Sequence, residues 1–158
     1  MDPKTFMRIS LSLGSDCPFF IQSIPSIASG RGEVLQPFSV DLSQYKILVI
    51  NPGIEISTQW AFSKVVPKTG HDLANWLVQP IESWKENIHN DFEEPVFREY
   101  PAIGEIKKRL YENGALYASM SGSGSSVYGI FKKSVVLSFP PGWFYKWVET
   151  PIFAVSKQ

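Results

Sequence analysis

Apolar positions open the chain at helical spacing. Phe6, Ile9 and Leu13 follow Asp2-Pro3, an N-cap side chain and the one residue whose missing N–H is no loss in a first turn, and Gly14 supplies the stop. From Pro18 to Phe38 the pattern predicts short extended pieces, "PFFIQS", "SIAS" and "EVLQPF", broken by Pro25 and the "SGRGE" bend at 29–33. "YKILVIN", residues 45–51, is a β-branched run suited to a buried strand, ended sharply by Pro52-Gly53. Ser57 or Thr58 then caps a short helix through Val66. Leu73, Trp76, Leu77, Ile81, Trp84 and Ile88 read as a helical core stripe that Pro80 breaks or restarts. Asn90 caps a further helix with Glu93 three residues on, and Pro101 starts another, which Gly114 closes after Lys107, Lys108 and Arg109. Two strand-like runs, "ALYASM" and "SVYGIFKK", flank the bend "SGSGSS", and "WFYKWVE" alternates like an edge strand carrying Lys146.

These elements lack the strand–helix–strand rhythm of a doubly wound sheet, so the expectation is an α+β sandwich with helices on one face. Its 158 residues fit one domain or one and a half. Fifteen basic residues offset fifteen acidic ones, so no overall field draws a polyanion and nucleic acid is not an expected partner. One cysteine and two histidines exclude an internal disulfide and a zinc cage of thiolates and imidazoles, which suits a cytoplasmic setting. No apolar run approaches a membrane span of roughly 20 residues, and no membrane partner is expected.

Three features carry candidate chemistry. Ser121, Gly122, Ser123, Gly124, Ser125 and Ser126 are either a flexible hairpin bend or a concave nest of backbone N–H groups able to hold phosphate oxygens; the lysine of a P-loop is absent. Asp16, in "LGSDCPFF", is either a turn or cap acceptor or a base that takes an alcohol proton during phosphoryl transfer, a task needing no large pKa shift. Thr58 and Phe62 share a helical face, where a hydroxyl and a ring suit a nucleobase, although such a Phe is commonly core. His71 and His89 read as surface or loop residues, Cys17 as a small buried group, and the lysine pairs at 107–108 and 132–133 as solvated faces.

Taken in order, "LGSDCPFF", "SIASGRGE", "NPGIEISTQWAF", "NDFEEPVFREYP" and "MSGSGSSVYGIF" resemble the C-terminal half to two-thirds of the 4-diphosphocytidyl-2-C-methyl-D-erythritol kinase family, within the galactokinase, homoserine kinase, mevalonate kinase and phosphomevalonate kinase (GHMP) superfamily. The resemblance implies ATP-dependent phosphorylation, with Mg²⁺, of the 2-hydroxyl of a cytidine-diphosphate-linked methylerythritol, in the non-mevalonate route to isoprenoid precursors. It implies that Asp16 is the catalytic aspartate, that 121–126 lies near the phosphates facing the same pocket, and that Thr58 and Phe62 contact the cytidine, Phe62 by stacking; no role carries over to Arg31 and Asp91, which read as structural support. The implied fold is a ferredoxin-like α/β sandwich, the GHMP kinase C-terminal domain, over 39–158. Residues 1–38 would be the last helix and strands of the N-terminal, ribosomal protein S5 domain 2-like kinase domain. The family's glycine-rich ATP loop has no counterpart here, so the chain is expected to be inactive alone and to self-associate through unpaired strands. Two other readings stand beside this one: a non-catalytic binding module on the same sandwich, and a GHMP kinase for another small alcohol.

Overall fold

The computed structural model describes residues 2–14, 16–68 and 72–149. They divide into two compact units, one ending at Asp41 and the next beginning at Leu42.

In the first unit, helix α1 spans Pro3–Leu13. Asp2 Oδ2 accepts from the Thr5 N–H at 3.1 Å and the Thr5 hydroxyl at 3.0 Å, and the Gly14 N–H closes the last turn on the Ser10 carbonyl. The piece 18–23, expected to be extended, lies almost wholly in helix α2 (Cys17–Gln22) instead. Pro18 in the first turn presets a helical φ, and Ser23 at φ 49° ends the element. Three consecutive apolar residues, 19–21, carry no helical period that could have shown this. The expected hairpin is present: β1 (Ser26–Ser29) runs antiparallel to β2 (Val34–Pro37), with Ser26 opposite Pro37 and Ser29 opposite Val34. Phe6, Ile9, Leu13, Phe20 and Val34 are all exposed, and among the described side chains of this unit only Ser10 and Pro18 are buried. A two-stranded sheet with its apolar residues outside supplies no core of its own.

The second unit holds β3 (Lys46–Asn51), α3 (Thr58–Lys64), α4 (Leu73–Leu77), a 3₁₀ turn (Ile81–Ser83) running into α5 (Trp84–Asn87), α6 (Glu93–Glu99), α7 (Pro101–Glu112), β4 (Tyr117–Met120), β5 (Val127–Phe131) and β6 (Phe144–Glu149). The sheet order is β4-β5-β3-β6, antiparallel throughout, with Leu48 between Gly129 and Trp147. β3 and β5 lie at the centre, a helical crossover leads from β3 to the edge strand β4, and β6 returns beside β3. This is the ferredoxin-like split β–α–β order, with residues 132–143 irregular where the second helix of that pattern would stand.

Helix α7 presents Ile103, Ile106 and Leu110 at helical spacing to Leu48, Ile50, Ala118, Met120, Val127 and Phe131, and Val96 of α6 joins them. The close approach needs Gly129: a Cβ there would lie 2.9 Å from Phe131 Cε2 and 3.3 Å from both Leu110 methyl carbons. Helices do not keep to one face. Ile81 and Trp84 are buried with Tyr117, whose side chain alternates to the face opposite Ala118, and the Trp84 and Tyr117 rings meet at 5.6 Å. The predicted core stripe over 73–88 is buried only at Ile81 and Trp84, and Leu73 is 39% exposed, because the chain leaves the helix before Pro80 and loses the phase of the pattern.

Candidate functional site

The bend 121–126 joins β4 to β5 at the sheet end where β3 finishes, since Ile50 and Met120 both pair with Val127. The Ser121 N–H donates to the Ser126 carbonyl at 2.8 Å and the Gly124 N–H to the Ser121 carbonyl at 3.0 Å, so two of its amides close the bend itself. Gly122 and Gly124 sit at φ 56° and 94°. Ser121 and Gly122 are exposed, Ser123, Gly124 and Ser126 half-buried, and Ser125 buried. Two asparagines grip it. Asn51 donates to Ser126 Oγ at 3.0 Å while its Oδ1 takes the Gly53 N–H at 2.8 Å. Asn90 donates to the carbonyls of Met120 and Gly122, each at 2.8 Å, and takes the Phe92 N–H on Oδ1 at 3.0 Å. Asn90 is thus not the helix cap its spacing suggested; Phe92 holds that position, and the carboxylate of Glu93 does not reach back but turns into the sheet.

Ile56 links the bend to the start of α3, because a Cβ on Gly124 would stand 2.8 Å from Ile56 Cδ1. Ser57 caps α3 by accepting the Trp60 N–H, and the helix stops at Lys64, short of the expected Val66, with Val65 already extended ahead of Pro67. Thr58 and Phe62 are both exposed on this helix. Phe62 is 62% exposed and meets Phe92 edge-on, ring centroids 4.9 Å apart at 80°. Thr58, Phe62 and residues 121–126 therefore gather at one end of the second unit's sheet. A groove of about 390 Å³ adjoins them, lined by Lys64, Lys68, His89, Asp91 and Arg98 among others, with Asn90 shared between groove and bend.

Asp16 belongs to the first unit, at the N-cap position of α2. Its backbone is helical (φ −88°, ψ −14°), its carbonyl accepts from Phe19 and Phe20, and its carboxylate makes no cap hydrogen bond. The carboxylate sits against the hairpin turn: Oδ1 is 3.2 Å from where a Cβ on Gly32 would be, and Gly32 has φ 107°. The Arg31 N–H donates to Glu33 at 2.5 Å, and this bond, with the backbone N–H of Glu33 itself as the larger cause, holds the Glu33 carboxyl below its ordinary range. Asp91 accepts the Lys68 N–H at 2.9 Å. Cys17 is half-buried rather than buried, His89 is exposed with Nε2 3.1 Å from the Glu86 carbonyl, and His71 lies outside the described residues.

Sequence reasoning missed the support behind the bend. Buried Glu93 receives the Met120 N–H at 2.8 Å and the Ser119 hydroxyl at 3.1 Å on Oε1, and Lys107 on Oε2. Lys107 is therefore no solvated lysine, whereas Lys108 and Lys132 form exposed pairs with Glu105 and Glu82. On the same edge the Tyr111 hydroxyl donates to the Ala118 carbonyl and accepts its N–H, both at 3.1 Å. Burial pushes the Tyr111 hydroxyl up to about 12 and those of Tyr117 and Tyr128 up as well. The only sequence trace of this network was the spacing of Asn90 and Glu93.

Residues 74–137 match the family model described as GHMP kinases C terminal, and the chain carries a GHMP kinase C-terminal domain. The relatives point further. The chain is 47% identical over 122 residues, 77% of its length, to a 4-diphosphocytidyl-2-C-methyl-D-erythritol kinase of Bacteroides thetaiotaomicron, of which that stretch covers 44%. It is 39% identical over 136 residues, 84% of its length, to the kinase of the same name from Porphyromonas gingivalis, of which it covers 50%. A crystal structure of 4-(cytidine 5'-diphospho)-2C-methyl-D-erythritol kinase superposes with a TM-score of 0.69 at 27% identity, covering 79% of this chain and 47% of that one. The chain thus spans about half the length of the curated relatives it matches.

Proposed function

We propose that the chain supplies the C-terminal half of an ATP-dependent kinase that phosphorylates the 2-hydroxyl of 4-diphosphocytidyl-2-C-methyl-D-erythritol, in the non-mevalonate route to isoprenoid precursors. The observation that carries this is the 47% identity over 122 residues to a kinase of that name, coinciding with a small-residue bend and an open aromatic ring at one end of the sheet. In this reading Phe62 offers its open surface to the cytosine, with Phe92 holding it edge-on from behind, and Thr58 one turn earlier binds the base or sugar. The bend 121–126 lies by the phosphates, and Asp16 accepts the proton of the attacking hydroxyl. Phosphoryl transfer asks the protein mainly for alignment and for donors to the equatorial oxygens, which serine hydroxyls and amides supply.

Among the described residues no group of three or more His, Cys, Asp or Glu could hold a metal ion. Mg²⁺ fits the reading as an ion carried largely by the nucleotide's phosphate oxygens, in the manner usual for this cation. Residues 1–38 are, on the same reading, the end of the kinases' N-terminal domain and 39–158 their C-terminal domain. The exposed apolar side chains and lone two-stranded sheet of the first unit support this, since they suit a surface covered by more protein, either the rest of such a kinase or a second copy of the chain. Among the described residues no helix is long and apolar enough to cross a membrane, and the small-molecule chemistry fits a cytoplasmic enzyme.

Titration of the chain with cytidine diphosphate tests the site. Phe62→Ala is expected to weaken binding by about 5- to 150-fold, the loss of about 1–3 kcal/mol of stacking. Equal affinity of the two proteins, or none for the wild type, would remove the cytidine reading.

A further inference from the structure

The two asparagines that hold the 121–126 bend use different chemistry. Asn90 gives both amide hydrogens to backbone carbonyls, those of Met120 and Gly122. A carbonyl only accepts, so this bridge requires a side chain with two donors. Asn51 instead gives a hydrogen to the Ser126 hydroxyl, which can also donate, so that link survives if position 51 becomes an acceptor. Asn90 is moreover fixed from behind, its Oδ1 taking the Phe92 N–H at the entry to α6.

We propose that Asn90 is the positioning residue of the bend: by joining the carbonyls of residues 120 and 122 it fixes the backbone that follows β4 in the form that receives phosphate oxygens, while Asn51 steadies the far end. This rests on the reading of 121–126 as phosphate-facing. Asn90→Asp keeps the shape, removes both donors and sets a carboxylate against two carbonyl oxygens. Asn51→Asp keeps the Gly53 contact and lets Ser126 reverse its hydrogen bond.

The test is a titration of the full chain, ¹⁵N-labelled, with Mg-ATP to millimolar concentration, following the amide resonances of 121–126 at about pH 7.5 and about pH 5.5. In the wild type these resonances shift. At the higher pH, N90D binds about tenfold more weakly through the loss of two hydrogen bonds. At the lower pH it recovers part of the deficit relative to the wild type, because a carboxyl crowded by two carbonyls keeps its proton and donates once. N51D loses about threefold or less and shows no such recovery. A role confined to packing would lower the melting temperature of both variants without separating their pH profiles. Wild-type resonances that ignore Mg-ATP would overturn the phosphate reading and the role of Asn90 with it. Wild-type shifts together with an N90D affinity equal to wild type at both pH values would overturn the role of Asn90 alone. If N90D does not fold, Asn90→Ala serves, with the same loss and no pH recovery expected, and wild-type affinity overturning the proposal.

Discussion

The two edges of the second unit's sheet are finished in opposite ways. Along β4 the outward backbone groups are met by side chains: Tyr111 takes both groups of Ala118, Glu93 takes the Met120 N–H and Asn90 the Met120 carbonyl. Along β6 no described strand pairs with the outer side, and Phe144 and Tyr145 are 58% and 50% exposed beside Lys146. An edge strand offers unpaired donors and acceptors to any passing chain, and a protein either covers them or discourages pairing with charge. This sheet does the first at β4, which runs into the 121–126 bend, and leaves the second to β6, where exposed Lys146 stands mid-strand. Fixed geometry is concentrated where the candidate site lies.

The largest break in this contrast is Glu93→Ala. It strands the Met120 N–H and leaves Lys107 without its partner, so unfolding in urea should show a loss of about 3 kcal/mol, as for other broken buried pairs; a loss under about 1 kcal/mol would mean that the edge is held by packing alone.

Tyr111→Phe is the next step down. Losing the hydroxyl uncovers both groups of Ala118 at a cost of about 1–2 kcal/mol. It also has a pH signature. Tyr111 is raised in the folded protein, so the stability it contributes is complete below the unfolded value of about 10 and disappears as pH climbs through about 12. Wild-type unfolding free energy should fall over that window, less steeply in Tyr111→Phe, with Tyr117 and Tyr128 carrying the remaining slope in the same direction.

The smallest effect on stability belongs to the open edge. Lys146→Val should shift unfolding by less than about 0.5 kcal/mol, as surface changes do, yet raise self-association measured by sedimentation velocity. Unaltered sedimentation would show that Lys146 does not guard the edge.

The same contrast explains what could be read from the sequence. β3, the β4–β5 hairpin and the caps at Asp2 and Ser57 depend on residues close along the chain, and their local patterns predicted them. Asn90 and Lys107 were misjudged because their partners are 30 and 14 residues away, and a cap-like spacing or a lysine pair says nothing about such distances. The α2 segment failed for a local reason: Phe19, Phe20 and Ile21 carry no helical period, so Pro18 reads as the head of an extended piece where it starts a helix. Of the candidate site, the bend and the shared face of Thr58 and Phe62 were visible in sequence; the two asparagines and the glutamate that hold the bend and the strand before it came only with the fold.

Gly129 shows how far one missing methyl group reaches. Its bare backbone sets how deeply α7 settles on the central strands, and Tyr111 is the residue next to Leu110, whose branches fill that gap. The span from the phenol to β4 is thereby gauged from the neighbouring strand, at the residue opposite Ala118, and an alanine at 129 would act as a shim, lifting the helix and drawing the clasp off the border it fastens.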